Sequence, residues 1–205
     1  MGRLNGVETR DRIIQAASDE LAEFGISKFR VRRVAKEAGT SVALLYSYFR
    51  DRDDVIAAAV IDRYRQNLDE AVSLICAPLP GVTTIDGLRS ALRQMITGAM
   101  DSRLQILRAE RNQCLAFAEH NAVAAAGMEE IRSEESIRFY ELVRPLEEKG
   151  LLSPSMSARS FARIWLALLS LNTFSGDHQL SLDAAEWRQA MELLADASVK
   201  GSPTS

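Results

Sequence analysis

The stretch from Arg30 to Arg52, RVRRVAKEAGTSVALLYSYFRDR, constrains this chain more than any other. Val31, Val34, Ala35 and Ala38 recur at three- and four-residue spacing, which lines one face of a helix of about two turns and directs Arg32, Arg33 and Lys36 elsewhere. Gly39 can take positive φ and stops that helix, and Ser41 follows as a side-chain cap for a second one. The turn between them is about three residues long. In the second helix Leu45 and Phe49 lie one turn apart and face inward, leaving Ala43, Tyr46, Ser47 and Arg50 on the open side, with Leu44 and Tyr48 at the flank. Two short helices, a tight turn and bracketing arginines form the pattern of a helix-turn-helix that reads DNA. A small amphipathic hairpin with merely solvated arginines fits the same residues, and the surrounding sequence has to decide.

The preceding segment, TRDRIIQAASDELAEFG from Thr9, repeats Ile13, Ala17, Leu21 and Phe24 as an apolar stripe, with Gly25 as a stop. Phe29 leads into the hairpin. With VRRVAKEAGTS and LLYSYFRDRDDV following in order, residues 9 to 60 resemble the N-terminal DNA-binding domain of TetR-type transcriptional repressors. The motifs that carry the resemblance are Arg-Ile-Ile-x-Ala-Ala, Phe-Gly, Val-Ala-x-x-Ala-Gly, Leu-Tyr-x-Tyr-Phe, and an arginine before the acidic start of a long helix.

The resemblance implies roles at matching positions. Arg32 takes a position that often reaches a base edge, where an arginine fork pairs bidentately with guanine. Tyr46, Tyr48 and Arg52 match phosphate contacts, and Ser41 caps the recognition helix and points its dipole at the duplex. Val42, Ala43, Leu44 and Ser47 match positions facing the major groove. Arg33, like Arg30, is either a phosphate contact or plainly solvated. The chain departs from the family where Arg30 replaces the usual Thr or Ser, where Val42 replaces Lys, Arg or Gln, and where Leu44 replaces Thr. Thr40 to Phe49 carries no charge. Readout is therefore expected to rest on Arg32, the Ser47 hydroxyl, contacts with thymine methyls, and DNA shape.

Charge supports this placement. The net charge of −3 argues against a nucleic-acid binder, but residues 1–52 hold ten Lys or Arg against seven Asp or Glu, while residues 53–205 hold fifteen against twenty-one. The basic excess of three lies where the motif is, and so modest an excess implies two heads acting together with salt-sensitive affinity. Composition, 47% apolar and 26% charged, is that of a globular protein. MGRLNGVETR is not an apolar leader, and the longest apolar run, around IWLALLSL, is too short to span a bilayer, so a soluble, cytoplasmic protein is expected. Cys76 and Cys114 lack metal or redox spacing and are expected to stay reduced, Cys114 as a core residue.

Beyond Arg52 the chain reads as helix throughout. A long segment from Asp53 to about Cys76 presents Val55, Ala58, Ala59, Ile61, Leu68, Ala71, Val72 and Ile75, and APLPG closes it. Further helices are expected over about 84–100, 102–118, 128–149 with a kink at Pro145 and a stop at Gly150, 157–174 and 182–199. No segment alternates with period two. The fold expected is all-α: a three-helix DNA-binding domain at 1–52, then a helical effector-binding and dimerisation domain at 53–205.

In proteins that this chain resembles, the last two helices form a four-helix bundle with a second subunit. That implies a homodimer interface through Phe161, Trp165, Leu168, Trp187 and Met191, unless these residues form an internal core. Two recognition helices would then enter successive major grooves ~34 Å apart on a near-palindromic operator. The resemblance also implies a small-molecule pocket in the middle helices. Its candidate lining is Met95, Leu104, Leu107, Arg108, Arg111, Cys114, Phe117, Phe139, Tyr140, Trp165, Leu169 and Asn172, most of which also fit a plain core.

No phosphate loop, nucleophile elbow, H-E-x-x-H or zinc spacing is present, so no enzyme, cofactor or metal is expected. The reading is a ligand-responsive repressor released from DNA by its effector. A ligand-dependent activator, or a helical binding or interaction module that no longer binds an operator, stands as the alternative.

Overall fold

The computed structural model describes residues 6–170 and 184–201, without the side chains of 169, 170 and 184. Among the described residues the chain is all-α: α1 (Gly6–Lys28), α2 (Val31–Glu37), α3 (Val42–Tyr48), α4 (Arg52–Cys76), α5 (Ile85–Gly98), α6 (Ser102–Ala118), α7 (Ala122–Glu148), α8 (Ala158–Ser170) and α9 (Ala184–Ser198). The one β-type pairing among the described residues is an isolated bridge between Leu152 and Val199. Two compact units result, Met1–Leu68 with Glu110–Ile131, and Asp69–Ala109 with Arg132–Ser205. The first unit runs well past the boundary expected at Arg52 and recruits a later piece of chain. Local sequence cannot show that, because the recruited piece arrives more than forty residues on.

In the first unit, α1 packs on α2 and α3. Ile13 and Ala17 are fully buried, Phe29, Val34, Leu45, Phe49, Val55 and Ala59 are fully or nearly so, and burying each larger side chain contributes about 1.5–3 kcal/mol. Gly25 has φ 69° and bends α1, so the expected stop is observed as a break followed by one more helical turn. Gly39, with φ 63°, ends α2: its N–H bonds the Lys36 carbonyl at 3.1 Å and the Thr40 N–H bonds the Ala35 carbonyl at 2.8 Å. That pairing satisfies the carbonyls a helix end leaves open.

α7 starts at Ala122, six residues before the expected start. The Asn121 side chain accepts the Ala124 N–H at 2.9 Å and so caps it. The helix also runs through Pro145 to Glu148. In the second unit, Leu88, Leu92, Met95 and Ile96 of α5, Phe139 and Val143 of α7, Phe161 and Trp165 of α8, and Trp187 and Met191 of α9 form one core. The loop after α7 is pinned to the end of α9 and the residues beyond it, with Ser153 N–H on the Ser198 carbonyl and Lys200 N–H on the Leu151 carbonyl, both at 2.9 Å. No helix of the described residues is long and apolar enough to cross a membrane.

Candidate nucleic-acid interface

α3 is held from within by Leu45, fully buried, and Phe49, 3% exposed, so its remaining faces are set. Ser41 accepts the Leu44 N–H at 3.0 Å and caps its start, as the sequence predicts. Ala43, Leu44, Tyr46 and Ser47 are exposed and Val42 half-buried. Leu44 at 45% and Tyr46 at 42% are large side chains left open on one short helix. The Ser47 hydroxyl donates to the Leu44 carbonyl at 2.7 Å, so its hydrogen is used inside the helix. Its oxygen is left to accept, which suits the amino groups of adenine or cytosine on a major-groove edge. The apolar remainder of the face suits thymine methyls.

Arg32 is exposed on α2 and makes no ion pair or side-chain hydrogen bond within the described residues. Arg30 and Lys36, also exposed, likewise hold no ion pair there, so α2 and its N-cap present three open cations.

Arg33 is a correction. Its Nε lies 2.9 and 2.8 Å from the two carboxylate oxygens of Glu20, its Nη2 bonds the Lys28 carbonyl at 2.7 Å, and its guanidinium stacks 4.0 Å over the Phe24 ring. Hydrogen bonding to Glu20 raises its pKa further above an already high value. Arg33 ties α2 to α1 and is not a cation held out for phosphate. Glu20, which accepts the Arg30 N–H at 2.9 Å as well, is the positioning residue that an acidic helix position hides. One signal could have found it: Glu20 falls on the same stripe as Ile13 and Ala17.

Arg52 is similarly engaged. Its Nη2 donates to the Ile26 carbonyl at 2.9 Å and sits 3.4 Å from the Phe29 carbonyl, with the guanidinium 5.8 Å over the Phe29 ring. Tyr48 is half-buried beside the start of α1, where a Cβ built on Gly6 would lie 3.6 Å from its hydroxyl. Arg50 pairs with Asp54 through both Nη2, at 3.2 Å, and its N–H, at 3.1 Å, and those bonds hold the Asp54 carboxyl below its ordinary range.

The expected ligand lining is divided between the two units. Met95, Leu104, Leu107, Arg108, Phe139 and Trp165 are buried in the second unit, with Tyr140 half-buried against its core. Arg111, Cys114 and Phe117 belong to the first unit. The Leu169 side chain and Asn172 lie outside what the structure describes. Burial pushes the Cys76 thiol up to about 12 and the Cys114 thiol to about 11, so both are neutral and unreactive near pH 7.

The expected dimer residues also need correcting. Phe161 and Trp165 are fully buried, Trp187 and Met191 are 3% exposed, and the Phe161 and Trp165 rings stack at 5.5 Å. They fill the core of their own chain, the alternative left open by the sequence. Leu168 is half-buried.

Comparison with known proteins agrees with the geometry. Residues 13–59 match the sequence model described as bacterial regulatory proteins, tetR family. The HTH-type transcriptional repressor BepR of Brucella suis biovar 1 is 26% identical over 168 residues, 82% of this chain and 79% of that protein. The HTH-type transcriptional regulator BetI of Klebsiella pneumoniae is 30% identical over 108 residues, 53% of this chain and 52% of its own length. A solved structure from Mesorhizobium loti, assigned to the TetR family of transcriptional regulators, superposes with a TM-score of 0.62 at 19% identity, covering 95% of this chain and 96% of that one. Residues 13–59 thus match the tetR family of bacterial regulatory proteins, and the chain is similar over most of its length to an HTH-type transcriptional repressor.

Proposed function

We propose that the chain is a transcriptional repressor that binds a near-palindromic operator as a homodimer and is released by a small-molecule effector. The observation that carries this reading is the exposed, uncharged face of α3 beside the unpaired Arg32. Arg32 supplies a base-specific fork, Ser47 an acceptor, and Val42, Ala43 and Leu44 apolar contacts. Tyr46 and Tyr48 can hold phosphates, joined by Arg30 and Lys36 as flanking cations. The repressor sense follows the Brucella relative, which is named a repressor.

Two heads are needed because one carries so small a basic excess. A face for pairing remains on the last helices: Ile164, 37% exposed, with Ala167 and Leu168 at adjoining positions of α8, and Leu193, 67% exposed, with Ala190 and Ala197 along α9. These residues recur at three- and four-residue spacing, as a bundle seam requires. Effector response is supported by Trp165, whose indole N–H is buried without a hydrogen-bond partner. An acceptor on a ligand would satisfy that donor.

The test is a mobility shift with the DNA upstream of the protein's own gene at several salt concentrations. A specific complex that weakens steeply with salt supports the repressor. No specific complex at any salt leaves the helical binding module, and a complex formed only with a ligand leaves the activator.

A further inference from the structure

The first unit contains a solvent-open pocket of about 450 Å³ lined by α1, α4 and α6. This volume falls within the range of small-molecule sites. Its walls include Leu21, Ile26, Val60, Cys114 and Phe117, and a Cβ built on Gly25, which also borders it, meets nothing within 4 Å. Polar character comes from Gln113 and from Arg63 and Glu110, whose Nη2 and Oε2 lie 2.5 Å apart. These two charges neutralise one another. An ionic ligand would have to break the pair or sit desolvated beside it, at a cost that an uncharged ligand avoids.

The same cavity touches the entry to the DNA head. Ile26, in its wall, offers the carbonyl that anchors Arg52 at the start of α4, and Gly25, where α1 bends, is next to it. Five residues after Leu21 the chain therefore passes from cavity wall to clamp, and four residues further on it reaches Arg30, whose N–H is held by Glu20.

We propose that this cavity is a second ligand site, for an uncharged, mainly apolar small molecule with a hydrogen-bonding group, and that occupancy displaces the 26–30 segment that orients α2. This goes beyond the effector reading above, because it places a ligand against α1 in the same unit as the DNA-reading helices. A ligand shifts the head only by binding one arrangement of that segment better than the other.

The test uses the full chain and the uncharged fluorophore N-phenyl-1-naphthylamine. Ala22→Trp and Ala116→Trp fill the cavity from different helices, and thermal melts identify any variant that fails to fold. Saturable binding near one per chain, weakened at least tenfold in a folded filling variant, supports the site. Wild-type affinity in the folded variants overturns it. Hydrogen exchange reads the coupling: several-fold faster or slower exchange across residues 26–30 with the fluorophore bound supports it, and unchanged exchange there overturns it. Operator binding of the unliganded protein is measured on the same samples. If it is absent while the fluorophore binds and the variants respond, the repressor reading falls and the site stands.

Discussion

Glu20 and Arg33, thirteen residues apart, join α1 to α2 through two bonds from Arg33 Nε at 2.9 and 2.8 Å. Glu20 is 6% exposed and also accepts the Arg30 N–H at 2.9 Å, so one buried carboxylate fixes where α2 begins and how it leans. Basic residues in a DNA head thus divide between holding the reader and touching the DNA.

Glu20→Ala is expected to cost about 2 kcal/mol of stability, because it strands a backbone N–H and a charged donor together. Arg33→Lys loses the fork that meets both oxygens and should also destabilise, although the charge is kept. Urea titration of both variants checks this. Arg33→Lys as stable as wild type would return Arg33 to the solvated set.

Arg32→Ala is expected to lose about 1–3 kcal/mol of discrimination at one base pair and to flatten preference there. Lys36→Ala should instead weaken all sequences alike and lower the salt slope by about one. Binding to a panel of single-base operator variants separates the two. A uniform loss for Arg32→Ala shows a phosphate contact.

Leu45 and Phe49 inside, Tyr46 and Ser47 outside, the Ser41 cap and the Gly39 stop all follow from spacing within one or two helical turns, where local geometry decides. What escaped the sequence is non-local. The buried side of Glu20 depends on Arg33, and the early start of α7 depends on the Asn121 cap before an alanine run with no polar rhythm. Phe161, Trp165, Trp187 and Met191 look the same from sequence whether they pack on α5 and α7 or on another chain, because periodicity tells which face is apolar but not what covers it.

That distinction separates two kinds of variant on the last helices. Trp187→Ala is expected to cost about 3–5 kcal/mol of stability in any oligomeric state. Leu193→Glu, at a position 67% exposed, should leave the fold intact and shift the protein toward monomer, with operator affinity falling accordingly. Sedimentation velocity with a parallel melt reads both. A Leu193→Glu protein that sediments like wild type removes α9 from the interface.

Gly127 is fixed by Ile61. A Cβ there would lie 2.6 Å from Ile61 Cδ1 and 2.9 Å from Cγ1. Gly127→Ala gains helix propensity but overpacks this contact, and should lose about 1–3 kcal/mol. Combined with Ile61→Ala the clash disappears, so the double variant should be more stable than the two single losses predict. Additive losses in a double-mutant cycle would show that the helices move apart instead.

Glu135 gives the second unit a pH dependence. Burial pushes its carboxyl above the ordinary value; Arg138 opposes this, and the neighbouring Asp69 carboxyl adds to the rise. A folded pKa above the unfolded one favours the protonated form in the native state. Its stabilisation is therefore complete below the ordinary glutamate value and is lost as pH rises through the raised one. One carboxylate oxygen of Glu135 is buried without a partner, which is where the ionised form is penalised. Glu135→Gln keeps the shape without the charge, and Arg138 retains Asp69 at 2.8 Å, so no guanidinium is orphaned. The variant should melt higher than wild type at pH 7, with the difference shrinking toward pH 4. A difference that stays constant across that range would mean that Glu135 is not the group that titrates.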